Sequence, residues 1–117
     1  MIGLPSLAEL DRSSRTRIWL CTAPTDMRKS FDGLSALVQS VLEQDPFSGH
    51  LFAFLNRRRD KVKILCWDRA GFVLMYKRLE QGTFRVPEGK EIGARELMML
   101  LEGLDTAEVR ERRWYRR

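Results

Sequence analysis

Four short apolar runs, HLFAFLN (50–56), KVKILCW (61–67), FVLMYKR (72–78) and TFRV (83–86), decide how this chain is expected to fold. All are rich in strand-favouring residues, and the breaks between them, RRRD (57–60), DRAG (68–71) and LEQG (79–82), are short and turn-like. Connections of that length join antiparallel neighbours, so the stretch predicts a four-stranded meander. Side chains alternate between faces with period two, and counting from the centre of each turn sorts them. One face collects Leu51, Ala53, Leu55, Val62, Ile64, Cys66, Val73, Met75, Phe84 and Val86, with Lys77 near its edge. The reverse face is divided. One end gathers His50, Phe52, Phe54, Leu65, Trp67, Phe72 and Leu74, and the other gathers Lys61, Lys63, Tyr76, Arg78 and Arg85.

Working outward, Arg17 to Cys21 reads as a strand closed by Pro24, which fixes its own φ and restricts Ala23. Thr25 is a candidate cap for a helix over Thr25 to Glu43, in which Met27, Phe31, Leu34, Val38 and Val41 recur at spacings of four and three. The turn chemistry of Asp45-Pro46-Phe47-Ser48-Gly49 stops it. This helix is the expected cover for the apolar Leu51 face of the sheet. Pro87 to Lys90 ends the meander, and Leu97, Leu100, Leu101 and Leu104 mark a second helix near Arg95 to Glu102, with Gly103 at its end. The fold class expected is α+β: a four-stranded antiparallel meander plus an N-terminal strand, packed with one long helix and one short C-terminal helix.

At 117 residues the chain has room for one domain. Residues 1–16 read as an arm, 17–105 as the domain, and 106–117 as a basic tail holding five arginines against Glu108 and Glu111. A content of 44% hydrophobic and 32% charged residues is that of a folding chain, and the net charge of +5 favours phosphate polymers or acidic partners. Neither a membrane span nor a secretory leader is legible, so a cytoplasmic protein is expected. Cys21 and Cys66 lie in apolar runs and read as buried thiols. His50 is the single histidine, which leaves no histidine pair for zinc, and the glycine spacing from Gly82 to Gly89 does not make a phosphate loop. The aspartates fall mostly at caps and turns, so neither cofactor nor metal is expected, and no active site.

Two basic patches remain as candidates. Lys61, Lys63, Arg78 and Arg85, with the turn cations Arg57, Arg58 and Arg59, form a positive surface beside Tyr76 and Trp67, a combination that binds phosphates and stacks on bases. The plain structural alternative is a solvated face whose charges guard strand edges. Arg28 and Lys29, placed in the first helical turn, oppose the helix dipole and form the second patch; an Arg28 to Asp32 pair is the structural alternative there.

Several stretches taken together carry a resemblance: PTDMRKSFDGL (24–34), DPFSGHLF (45–52), KILCWD (63–68) with Gly71-Phe72, YKRLE (76–80) and LLEGLD (100–105). In that order they closely resemble the TnpB accessory proteins of the IS66-type bacterial insertion sequences, over about three quarters of the chain, from Trp19 to Asp105. The resemblance implies a small protein encoded beside a separate transposase and supporting movement of the element. It transfers no catalytic residue. It departs from the pattern at Gly93, where relatives often have a Ser or Thr cap, and in the arginine-rich end. Element DNA and the element's transposase are the expected partners. A transposase adaptor that never touches DNA is the alternative, and an apolar patch at His50, Phe52, Trp67 and Phe72 would favour it.

Overall fold

The computed structural model describes residues 16–103; the arm up to residue 15 and the whole basic tail lie outside them, as does Leu104. Five strands and two helices follow in the order β1 (Ile18–Cys21), α1 (Phe31–Ser40), β2 (Leu51–Leu55), β3 (Lys61–Asp68), β4 (Gly71–Arg78), β5 (Glu91–Ile92) and α2 (Ala94–Glu102). The strands form one mixed sheet in the order β4-β3-β2-β1-β5. The class is α+β, but the meander has three strands rather than four. Residues 83–86 are not a strand, although Phe84 is buried and Val86 packs against the same core. β4 is therefore an edge strand, and the sheet grows on its other side, where β1 lies between β2, to which it is parallel, and the short antiparallel β5. An Arg17–Glu91 ion pair of 2.9 Å spans β1 and β5.

The parity predicted within the hairpins holds. Lys61 pairs with Arg78, Lys63 with Tyr76, Leu65 with Leu74 and Trp67 with Phe72, so these eight side chains share a face. What covers each face is the reverse of the expectation. The Leu51, Ala53, Leu55, Val62, Ile64 face packs with Leu97 and Leu100 of α2 and with Phe84. The face of Phe52, Phe54 and Leu65 is the one that receives Leu34, Val38 and Leu42 from α1 and the turn after it. Covered on both sides, β2 is buried at all five positions, as a central strand with a parallel neighbour should be. Cys21 and Cys66 are free and buried, one in each core.

Helix α1 is much shorter than its apolar period suggests, because its first six expected residues are engaged elsewhere. The Thr25 N–H donates to the Leu55 carbonyl at 2.8 Å, which holds the chain extended along β2. The Asp26 carboxylate then accepts the Arg28 N–H at 2.9 Å, forming a side-chain turn. The carbonyls of Met27 and Lys29 both accept from the Lys63 ammonium, at 2.7 Å each. Ser30 stands at φ −123° and ψ −144°, outside helical geometry, and the helix starts after it. It ends through Glu43, a non-glycine residue at φ 55°, before the Asp45 side chain accepts the Phe47 N–H at 2.9 Å.

Helix α2 agrees closely with expectation. The Glu96 carboxylate reaches back to the Gly93 N–H at 2.8 Å, supplying half of a capping box although Gly93 has no side chain to give the other half. Gly103 closes it at φ 68°, the left-handed conformation that glycine adopts without penalty. The Lys77 ammonium donates to the carbonyl of Leu101, tying β4 to the last turn of the helix.

Candidate nucleic-acid interface

The basic end of the α1-side sheet face is built by three segments. The β2–β3 turn brings Arg57 and Arg58; β3 brings Lys61 and β4 brings Tyr76; the segment between β1 and α1 brings Thr25, Asp26 and Arg28. Together with Met27 and Asn56 they line one open groove of about 460 Å3. Asn56 sets the shape of the turn: its Oδ1 accepts the N–H groups of Asp60 and Lys61 at 3.1 and 3.0 Å, and its Nδ2 donates to Asp60 Oδ1 at 2.6 Å. With the turn fixed from within, Arg57 and Arg58 are left exposed.

Four cations line the groove against the single carboxylate of Asp26. Arg28 is paired with that carboxylate, Nη2 to Oδ2 at 2.7 Å and Nε to both oxygens at 3.0 to 3.1 Å. These bonds, with the Arg28 backbone N–H, hold the Asp26 carboxyl down to about 2. The same pairing raises the Arg28 guanidinium. Asp60 is also lowered, first by its hydrogen bond from Asn56. Arg57, Arg58 and Lys61 form no ion pair among the described residues. Their charge is available to a ligand.

Lys63 is the main correction. It shares the face of Lys61, as the parity requires, yet only 6% of it is exposed. Its ammonium holds the Met27 and Lys29 carbonyls and lies 4.6 Å from the centroid of the Tyr76 ring. Its hydrogen bonds inside the protein make it an internal strut beneath the groove. Arg78 lies on the same face but pairs with Glu80 at 3.1 Å and does not line the groove. Arg59 turns back at φ 58° and, with Arg85, lines a cleft beside Glu96 and Met99 of α2. Lys29 is exposed outside the groove, and its aliphatic stem crowds Gly33, where an added Cβ would stand 3.1 Å from the Lys29 Cβ. The Arg28 to Asp32 pair is replaced by Arg28 with Asp26.

Trp67 belongs to the opposite end of the face. Its ring meets Phe47 at 5.0 Å and Phe72 at 5.1 Å, both edge to face, and Phe47 meets Phe72 at 5.3 Å. Six residues of β3 separate Lys61 from Trp67, about 20 Å of strand. The predicted apolar patch shrinks accordingly, since Phe52 is fully buried and the His50 ring accepts the Arg17 N–H through Nδ1 at 3.0 Å. Trp67 and Phe72 are half-buried, and the exposed ring beside them is that of Phe47, which was not among the expected members.

Thr25, expected as a helix cap, is instead a wall of the groove, 6% exposed, and its Oγ1 has no hydrogen-bond partner among the described residues. Asn56 was legible only as the end of a strand. An Asn four residues before an Asp around three arginines is the signal that could have marked the turn as rigid. Among the described residues, no three His, Cys, Asp or Glu side chains gather as a metal site, and no helix is long and apolar enough to cross a membrane.

A small mixed-sheet α+β domain carrying an open, cation-lined groove with an aromatic wall has the form of a binding module. The chain belongs to the IS66 Orf2-like family, whose model matches residues 16–111. It is 37% identical over 100 residues to the uncharacterized protein y4jC of Sinorhizobium fredii (strain NBRC 101917 / NGR234), covering 82% of this chain and 86% of that one. To the uncharacterized protein y4hO of the same strain it is 36% identical over 100 residues, covering 82% and 87%. No solved structure matches the chain. Membership of this family supports an accessory role in transposition.

Proposed function

We propose that this protein is a non-catalytic transposition accessory factor that contacts the element's DNA, alone or in complex with the transposase, through the Arg57–Arg58–Lys61 groove. The observation that carries this reading is the convergence of four cations from three separate segments on one groove, three of them outside any ion pair among the described residues, with Asp60 near enough to Arg58 and Lys61 for their charges to lower it. Neutralising phosphates with such groups releases condensed counterions, so binding must weaken as salt rises. The triple variant Arg57→Ala, Arg58→Ala, Lys61→Ala is expected to retain its fold, because none of the three is buried. It should bind element-end DNA more weakly and with a salt slope reduced by roughly two to three. An unchanged affinity and slope would overturn the reading.

The Phe47–Trp67–Phe72 cluster favours a second reading, a transposase adaptor, because an exposed ring already packed on two neighbours is a low-entropy anchor for a partner. Capture of the element's transposase without DNA, abolished by Phe47→Ala and untouched by the groove variant, is the outcome that selects it.

A further inference from the structure

The groove's aromatic wall has one face closed and one side open. Behind the Tyr76 ring, the Lys63 ammonium stands 4.6 Å from the centroid, locked there by two carbonyls at 2.7 Å. A lysine this buried, with its hydrogen bonds made inside the protein, closes that face permanently. Tyr76 nevertheless remains 51% exposed and lines the groove. A large ring held from behind and open in front is a stacking platform, and Lys61, Arg57, Arg58 and Arg28 supply the charge for the backbone of whatever stacks on it.

We infer that the groove takes an unpaired nucleotide, so that the nucleic acid it recognises is single-stranded DNA in preference to duplex. The inference rests on the DNA-contact reading above and adds the strand state. A duplex keeps its bases stacked on each other and presents phosphates to a concave surface; its bases reach a protein ring only by extrusion, at a cost of a few kcal/mol. A single strand offers base faces freely. The groove, of about 460 Å3 and open to solvent, has room for a nucleotide against the Tyr76 ring. Thr25 lines the same groove, with a nearly buried Oγ1 that lacks a partner among the described residues. Buried polar atoms normally have one.

The test uses the full chain and a labelled mixed-sequence oligodeoxynucleotide of about 12 nucleotides, within the site sizes seen for strand-tracking grooves, alone and annealed to its complement. Fluorescence anisotropy should show the single strand binding at least about tenfold more tightly than the duplex. Tyr76→Leu should weaken single-strand binding by about fivefold or more, Tyr76→Phe should bind as the parent does, and neither should change duplex binding. Circular dichroism and thermal melting establish that each variant is folded. If Tyr76→Leu melts early, photocrosslinking of an iodouracil-substituted strand to the parent protein decides the matter, with Tyr76 the expected adduct. The arginine-rich tail is present in every variant, so a difference between variant and parent on the same nucleic acid reports on the groove. Equal or tighter duplex binding that still responds to Arg57→Ala and Arg58→Ala would overturn the strand preference and leave the DNA-contact reading standing. Insensitivity to both groove and Tyr76 variants would overturn the two together.

Discussion

The two ends of the sheet face beneath α1 are made by the same strands with the same alternation, yet one is a basic groove and the other an aromatic cluster. At one end Trp67 and Phe72 meet Phe47, which arrives from the turn after α1. At the other, Lys63 and Tyr76 meet the loop before α1, whose carbonyls draw the Lys63 ammonium inward. The strand pattern decides which face a side chain takes; the connection that passes over that end decides whether it becomes core, strut or ligand contact. Lys61 and Lys63 show this within one strand: they are two residues apart and on one face, but one lines the groove and the other supports it.

Replacing the two lysines separately should give the largest difference. Lys63→Met keeps the length and apolar stem but leaves the Met27 and Lys29 carbonyls without their donor, and should cost about 1–3 kcal/mol in urea unfolding. Lys61→Met should cost less than about 0.5 kcal/mol. Equal losses would mean that Lys63 is not a strut. At the aromatic end, Phe47→Ala removes two ring contacts from a half-exposed position and should cost about 0.5–1.5 kcal/mol, with no effect on DNA affinity.

The smallest expected effect is acidic. Because the folded Asp26 carboxyl lies at about 2, below its ordinary 3.8, its pairing with Arg28 stabilises the fold fully above the unfolded value. That contribution is lost as pH falls through about 2. Asp26→Asn should therefore show a shallower fall in melting temperature between about pH 5 and pH 2 than the parent. The same variant frees Arg28 and removes the groove's carboxylate, so it should tighten binding to DNA at neutral pH. A parent and variant with parallel pH curves would place the Arg28–Asp26 pair outside the native ensemble.

Much of this molecule was legible in local pattern. The hairpin registers from Leu51 to Arg78, the C-terminal helix closed by Gly103 and the buried thiols all follow from signals a few residues long. Those signals act within the segment that carries them. The errors share another origin. The stretch expected to open the helix at Thr25 is instead bonded to distant segments, Thr25 to the Leu55 carbonyl and the Met27 carbonyl to Lys63, 36 residues away. No fourth meander strand forms beyond β4; the sheet extends on its other side, where β2, reached from β1 through the α1 crossover, lies parallel to β1. The candidate cations were sorted in the same way: Arg57, Arg58, Lys61 and Arg28 meet at one groove with Tyr76, whereas Arg59, Arg85, Arg78, Lys29 and Trp67 are carried elsewhere.

By itself the sequence determined the side of the sheet on which each strand residue falls, because backbone alternation has a period of two and tight turns preserve the count. Only the tertiary structure decided which helix lies over which side and which lysine is withdrawn from water. Those outcomes depend on hydrogen bonds and apolar contacts between segments tens of residues apart, and no local periodicity encodes them.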